Sequence, residues 1–338
     1  MASAASNSTS NKDSSSECLT LDFGPYEDLN VWRKMPECDK FVGAPRSKHT
    51  IVKFRGALYV FGGDNGREML NDLLRFDIKE KSWSRIGTYT GTCPAPRYHH
   101  TANVYDEKSI IVFGGYTGDI DTNSNLRNCN DLWQFRFETM QWLQVNVSAG
   151  PVPCPRSAHG SAVINDMLYI FAGYDGNVRL KDMWRISLIA PPPGQLNRWE
   201  QVEQFGTSPP PLCNFPVSVS EDFMYVFSGQ SGQAFTNSLF RFHFPSKTWT
   251  LISGPQCRIR DSAPAPVRRY GHSMIAFKNH LYIFGGAADF ILPPNLHKYD
   301  LLTDVWEIVP LAGHGPSGRL FHAATVCQSS MYIFGGLC

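Results

Sequence analysis

Val60-Phe61-Gly62-Gly63 closes an apolar run roughly 20 residues before Trp83, and this coupling of a glycine pair to a later tryptophan recurs along the chain. Val112-Phe113-Gly114-Gly115, Ile283-Phe284-Gly285-Gly286 and Ile333-Phe334-Gly335-Gly336 repeat the pair, with softened copies at Phe171-Ala172-Gly173 and Phe227-Ser228-Gly229. The second to fifth copies are followed, roughly 20 to 27 residues on, by Trp142, Trp199, Trp249 and Trp306. The unit returns about every 50 to 58 residues and reads as four short strands. Such a sheet buries both faces only when neighbouring copies stack radially, so the pattern predicts a single all-β propeller. The glycines serve a sharp turn at the end of the second strand, where a missing Cβ permits positive φ or close approach. Where Ala172 and Ser228 replace the first glycine, that conformation is expected to rest on Gly173 and Gly229. The tryptophans are expected to pack between blades, burying ~150 to 250 Å² each.

The period lies near the ~50 residues of kelch repeats and above that of WD40 blades. The expected architecture is therefore a six-bladed kelch β-propeller over 19–338, behind a Ser-rich disordered tail at 1–18. Its blades fall at 46–90, 97–150, 156–205, 212–253 and 269–310, with a partial sixth at 319–338 joined by 30–35. In the first blade the strands are placed near His49–Phe54, Leu58–Phe61, Asp72–Asp77 and Ser82–Ile86. The sixth copy supplies Phe321 to Phe334 and stops before a third strand, while Val31-Trp32-Arg33-Lys34 resembles a fourth strand. An incomplete sixth blade is expected, its third strand absent and an edge left unpaired. The chain is accordingly expected to be a truncated product, less stable than one extended by the missing strand.

Lys and Arg number 31 against 30 acids, a balance that argues against a nucleic-acid surface or membrane insertion. No apolar run reaches the ~18 residues needed to span a bilayer, and the start lacks the apolar core of a signal peptide. A soluble cytoplasmic protein is expected. Nine cysteines, Cys93, Cys154, Cys213 and Cys257 among them, are scattered without a CxxC pair, which fits reduced thiols. Asn7-Ser8-Thr9 and Asn146-Val147-Ser148 match the glycosylation triplet by chance in that setting.

Five blades carry an arginine three residues before a histidine at the start of the first strand: Arg46 and His49, Arg97 and His100, Arg156 and His159, Arg269 and His272, Arg319 and His322. The fourth departs, with Leu212-Cys213-Asn214-Phe215. Symmetry sets these residues around the central channel on one face. The histidines are read as structural. For the arginines two readings stand: hydrogen bonds to neighbouring backbone, or a docking site for acidic side chains that guanidinium grips bidentately. Loops between second and third strands open on the same face and carry Asp64-Asn65-Gly66-Arg67, Tyr116-Thr117-Gly118-Asp119, Tyr174-Asp175-Gly176, Gln230-Ser231-Gly232 and Ala287-Ala288-Asp289-Phe290. With Tyr98, Tyr270 and Phe321 they give the face the arginine and aromatic content of interface hot spots.

No reactive constellation emerges. His99 and His100 are adjacent, and adjacent strand side chains point apart, so they do not chelate one metal. Glu68 and Asp72 match part of the iron motif of kelch-type nitrile-specifier proteins, but Phe76 stands at its histidine position. G-x-S-x-G, HExxH and phosphate-loop motifs are missing. No enzyme, cofactor or metal is expected.

Arg46-Ser47-Lys48-His49, Tyr59-Val60-Phe61-Gly62-Gly63-Asp64-Asn65-Gly66, Phe171-Ala172-Gly173-Tyr174-Asp175-Gly176 and Arg268-Arg269-Tyr270-Gly271-His272 resemble the kelch region of the leucine-zipper-like transcriptional regulator family, over about residues 19 to 336. The Ala172 and Ser228 substitutions and the Cys213-Asn214-Phe215 blade discriminate more than any generic kelch signature. The resemblance implies a substrate adaptor of cullin-3 ubiquitin ligases: the propeller recognises Ras-family small GTPases, BTB and BACK modules, which this chain is expected to lack, engage cullin-3, and the protein associates with Golgi or other endomembranes. The alternative is a scaffold for a cytoskeletal or transcriptional complex. The residues expected to meet the partner are Arg46, Arg97, Tyr98, Tyr116, Arg156, Tyr174, Asp175, Arg269, Tyr270 and Arg319.

Overall fold

Every glycine pair lies in or just after the second strand of an antiparallel sheet, and the computed structural model arranges six such sheets as propeller blades. It describes residues 15, 17–23, 30–36, 45–87, 92–232, 237–254, 263–313 and 315–338. Most of the expected tail, 1–14 and 16, lies outside these residues, as does Cys257. The first blade runs Thr50–Phe54, Ala57–Phe61, Leu73–Asp77, Ser82–Arg85, within a residue of expectation at each end. The second blade is enlarged: its central strands, Ser109–Asp119 and Ser124–Arg136, form a hairpin longer than those of its neighbours. Tyr116-Thr117-Gly118-Asp119, read from the sequence as a loop, is therefore part of a paired strand.

The expected gap in the sixth blade is filled from the other end of the chain. Cys18–Asp22 pairs antiparallel with Ser330–Phe334 on one side and with Asn30–Lys34 on the other, giving the order Ala323–Cys327, Ser330–Phe334, Cys18–Asp22, Asn30–Lys34. The third strand is present and the blade is complete. The tail expected to reach residue 18 is ordered from nearby: Ser15 N–H donates to Gly336 O at 2.8 Å, and Gly335 N–H to Glu17 O at 3.0 Å. A five-residue strand abutting a Ser-rich segment, without a glycine pair or tryptophan of its own, carries little periodic signal. With that edge paired, the expected loss of stability from an open blade has no basis. Leu311–Ala312 runs parallel beside Asn30–Lys34, and Phe205–Gly206 likewise beside Thr248–Ser253, so two outer edges gain partners.

The core is a ring of six apolar layers, each shared by two successive blades. One phenylalanine per blade, the residue before the glycine pair, organises each layer. Trp142 packs against Phe61, Trp199 against Phe113, Trp249 against Phe171, Trp306 against Phe227, Trp32 against Phe284 and Trp83 against Phe334, at 4.8 to 5.6 Å between ring centroids and with the rings inclined to one another. The tryptophan always belongs to the following blade, and Trp32 completes the set that the sequence counted as five. Trp83 alone remains half-buried.

At the glycine pairs both residues have positive φ, 65° and 91° at Gly62 and Gly63. Ala172 and Ser228 share the conformation at 56° each, so the strain is not confined to Gly173 and Gly229. The first position lies in the left-handed well that ordinary residues reach at a modest cost. The second lies further out, and a Cβ on Gly63 would meet Ser47 O at 2.5 Å.

Among the described residues no helix is long and apolar enough to cross a membrane, and Cys93, Cys154 and Cys213 are free thiols.

Candidate docking face

The five arginines lie inside the wall, each at most 1% exposed. Nη1 of each donates to the carbonyl of the first glycine-pair residue of its own blade: Arg46 to Gly62 at 3.1 Å, Arg97 to Gly114 at 2.9 Å, Arg156 to Ala172 at 3.0 Å, Arg269 to Gly285 at 2.9 Å and Arg319 to Gly335 at 3.1 Å. The arginine carbonyl in turn accepts from the second glycine of the preceding blade, as in Gly63 N–H to Arg97 O at 2.9 Å, and Gly336 N–H to Arg46 O closes the circle. Four guanidinium groups are also neutralised from within. Arg46 pairs bidentately with Asp72 at 2.6 and 2.9 Å, Arg97 with Asp131 at 2.8 Å, Arg156 with Asp182 at 2.7 and 2.9 Å, and Arg319 binds Glu17 at 2.8 Å. Burial pushes Asp131 and Asp182 upward, but the hydrogen bonds and charge of Arg97 and Arg156 outweigh it and hold both carboxyls below the usual range. A hydrogen bond from Arg319 does the same for Glu17.

Arg46, Arg97, Arg156 and Arg319 are thus architecture, as the backbone-bonding reading of the sequence had it, and the alternative, an exposed ring of charge for acidic partners, is not on the surface. The signal was in the sequence. Asp72, Asp131 and Asp182 each directly precede a buried residue, Leu73, Leu132 or Met183, that sits opposite the organising phenylalanine of the blade.

The histidines are structural, as expected. His100 Nε2 lies 2.9 Å from Thr50 Oγ1, His159 Nε2 2.9 Å from Thr101 Oγ1, His322 Nε2 2.8 Å from Ser273 Oγ and His272 Nε2 3.0 Å from Phe227 O. Each tethers its blade to the one before it. Burial, then the charge of the nearby arginine, pushes His100 and His322 down to about 3, so both stay neutral.

Between arginine and histidine stands a position whose backbone role the sequence did not flag. Lys48, His99, Ala158, Asn214, Gly271 and Phe321 all have positive φ, 52° to 65°. Each N–H donates to the carbonyl of the preceding blade's member: His99 to Lys48, Ala158 to His99, Asn214 to Ala158, Gly271 to Asn214, Phe321 to Gly271 and Lys48 to Phe321, at 2.7 to 3.0 Å. Six left-handed residues thereby close a backbone ring at one end of the channel, whose cavity holds about 270 Å³. No sequence pattern marks them, because their side chains have nothing in common.

Bridges from Ser47 to Asp64, Ser157 to Tyr174, Cys213 to Gln230 and Leu320 to Leu337 tie these segments to the loops after the glycine pairs, so ring and loops share one face. There the aromatics assemble as expected. Tyr116, Tyr98, His99, Phe321 and Tyr270 follow one another at 5.5, 5.3, 4.9 and 6.0 Å, all half-buried. Lys48 Nζ lies 4.6 Å over the Tyr98 ring and 2.7 Å from Asp64. Burial, with the charges of Tyr116 and Asp64, raises Tyr98 to about 12, so its hydroxyl stays protonated. Tyr174 is exposed, its hydroxyl donating to Gly176 O at 2.8 Å. Asp175 caps its own loop, accepting from Asn177 and Val178 N–H at 2.7 and 2.8 Å, so its role is local.

On the same face the turn at Asp289 and Phe290 is closed by two backbone bonds between Ala288 and Ile291, at 2.9 and 3.0 Å. It holds Phe290 fully exposed and Ile291 64% exposed. An apolar pair fixed at a rigid tip fits the aromatic anchors of protein interfaces. The sequence showed the loop but not that nothing covers it. Among the described residues no group of three or more His, Cys, Asp or Glu is placed to hold a metal.

The family model described as the KLHDC2/KLHL20/DRC7 Kelch-repeats domain matches residues 9–191, 48–286 and 255–338. The chain is 53% identical over 325 residues to the leucine-zipper-like transcriptional regulator 1 homolog of Drosophila melanogaster, covering 95% of this chain and 32% of that protein. It is 50% identical over 374 residues to the leucine-zipper-like transcriptional regulator 1 of Homo sapiens, covering 95% and 44%. Kelch domain-containing protein 10 of Xenopus laevis is 24% identical over 259 residues, covering 72% and 60%. The chain thus spans a third to under a half of the length of its regulator relatives.

Proposed function

Since the chain belongs to the Kelch-repeats domain family, a family of protein-interaction propellers, we propose that its aromatic face docks a Ras-family small GTPase. The observation that carries the docking reading is the continuous run Tyr116, Tyr98, His99, Phe321 and Tyr270, flanked by the exposed Phe290 and Ile291. A rigid ring of backbone bonds holds these rings in place before any partner arrives, which limits the ordering cost of binding. The small-GTPase class rests on the similarity to the leucine-zipper-like regulators. In a longer protein carrying BTB and BACK modules, the propeller would present such a substrate to a cullin-3 ligase at Golgi or other endomembranes. The role is recognition without catalysis.

The test is direct binding of the purified chain to a panel of Ras-family GTPases loaded with GDP or a GTP analogue, beside the variants Tyr98→Ala and Tyr270→Ala. We expect at least one GTPase to bind, and each variant to weaken it about tenfold or more, as loss of an interface aromatic does. Panel members binding no better than an unrelated acidic protein would leave a scaffold as the better reading.

A further inference from the structure

Four buried arginines have an acid of this chain laid across the guanidinium. In the fourth blade cation and acid are both replaced, by Leu212 and Ser238. Among the described residues the fifth blade keeps only the cation. Asn295 stands where Asp72, Asp131 and Asp182 stand elsewhere, directly before the residue opposite the organising phenylalanine, here Leu296 opposite Phe284. Arg269 is 1% exposed and makes its family of backbone bonds, Nε to Val267 O at 3.0 Å and Nη1 to Gly285 O at 2.9 Å. Among the described residues none accepts from Nη2, and no carboxylate comes within ion-pair distance. Nearby His297 adds no second positive charge, since burial and then the charge of Arg269 hold it down to about 4.

A buried guanidinium without a counter-ion is costly, and its planar fork matches a carboxylate. The place for one is open. The acids of the paired blades keep side-chain exposures of 12%, 24%, 25% and 39%, so an oxyanion over the guanidinium faces solvent, and Asn295 itself is exposed. Arg268, next to Arg269, pairs at 3.0 Å with Asp289 of the turn that carries Phe290. We infer that the fifth blade holds an open carboxylate site, filled by an aspartate or glutamate side chain of the docked protein in a pair with Arg269. This deepens the reading of the face as a docking surface and rests on it.

Asn295→Asp supplies the missing acid from within and tests the site. Melting is followed in chloride and in acetate of equal ionic strength, and affinity against the GTPase panel. Acetate is expected to raise the melting temperature of the unsubstituted chain in a saturable manner and to leave the variant unmoved. In chloride the variant is expected to melt about 2 °C or more higher and to bind a GTPase about tenfold more weakly. Identical melting and acetate response in the two proteins would overturn the site, whether or not any GTPase binds. An acetate response abolished by Asn295→Asp with GTPase affinity unmoved would overturn the protein carboxylate as its occupant.

Discussion

A histidine in the seam between two blades must stay neutral, and that requirement links the seams to pH. Burial leads in pushing His49, His159 and His272 well below their ordinary value, and His100 and His322 to about 3. Above about pH 6.5 such a histidine is neutral folded and unfolded, and contributes no pH dependence. Below it, the unfolded chain takes up a proton that the folded chain refuses, so stability falls with pH until the folded value near 3 is reached. The limiting slope is about 1.4 kcal/mol per pH unit for each histidine. Urea midpoints are expected to be level between pH 7 and 8 and clearly lower at pH 5; a midpoint unchanged or higher at pH 5 would contradict this. His322→Phe should shallow the slope by one proton, for the fourth blade already seats Phe215 at this position, 5.8 Å from Phe171.

At the scale of the element, the closing strand is the most exposed to test. Leu21 is fully buried in the layer between the fifth and sixth blades, in a strand paired on both sides. Leu21→Asp places an unpaired carboxylate there and should cost about 3 kcal/mol or more. Arg33→Ala, on an exposed side chain 3.9 Å from Asp22, should change stability by about 0.5 kcal/mol or less. Denaturant unfolding of both variants checks the contrast, and equal midpoints would mean that the N-terminal strand does not close the ring. This strand also shows where sequence reasoning reaches its limit. In the first blade the strands next to the glycine pair and the tryptophan were placed within a residue, because those residues answer to local needs: a positive φ, or a seam wide enough for an indole. Cys18–Asp22 answers to a partner more than 300 residues away, and nothing local marks it. The arginines were legible only in part, since their constant spacing was visible but suited backbone bonding as well as an exposed docking ring, and only burial decides between them.

For the molecule as a whole, the buried pairs and the exposed face should separate in experiment. Arg156→Met removes a guanidinium that neutralises Asp182 and holds Ala172 O, leaving a carboxylate largely enclosed, a loss of about 3 to 5 kcal/mol for a broken buried pair. Its melting temperature should fall, and any loss of GTPase binding should track the unfolded fraction. Phe290→Ala removes a side chain that touches almost nothing, so the melt should stay in place while affinity drops about tenfold or more. The two responses discriminate because Arg156 and its acid lie in the wall while Phe290 stands exposed on a loop. If Arg156→Met kept a wild-type melt but lost binding, the wall arginines would belong to the docking surface after all. Should Phe290→Ala lower the melt and spare binding, the turn at Asp289 and Phe290 would be part of the scaffold and the anchor would lie elsewhere on the aromatic run.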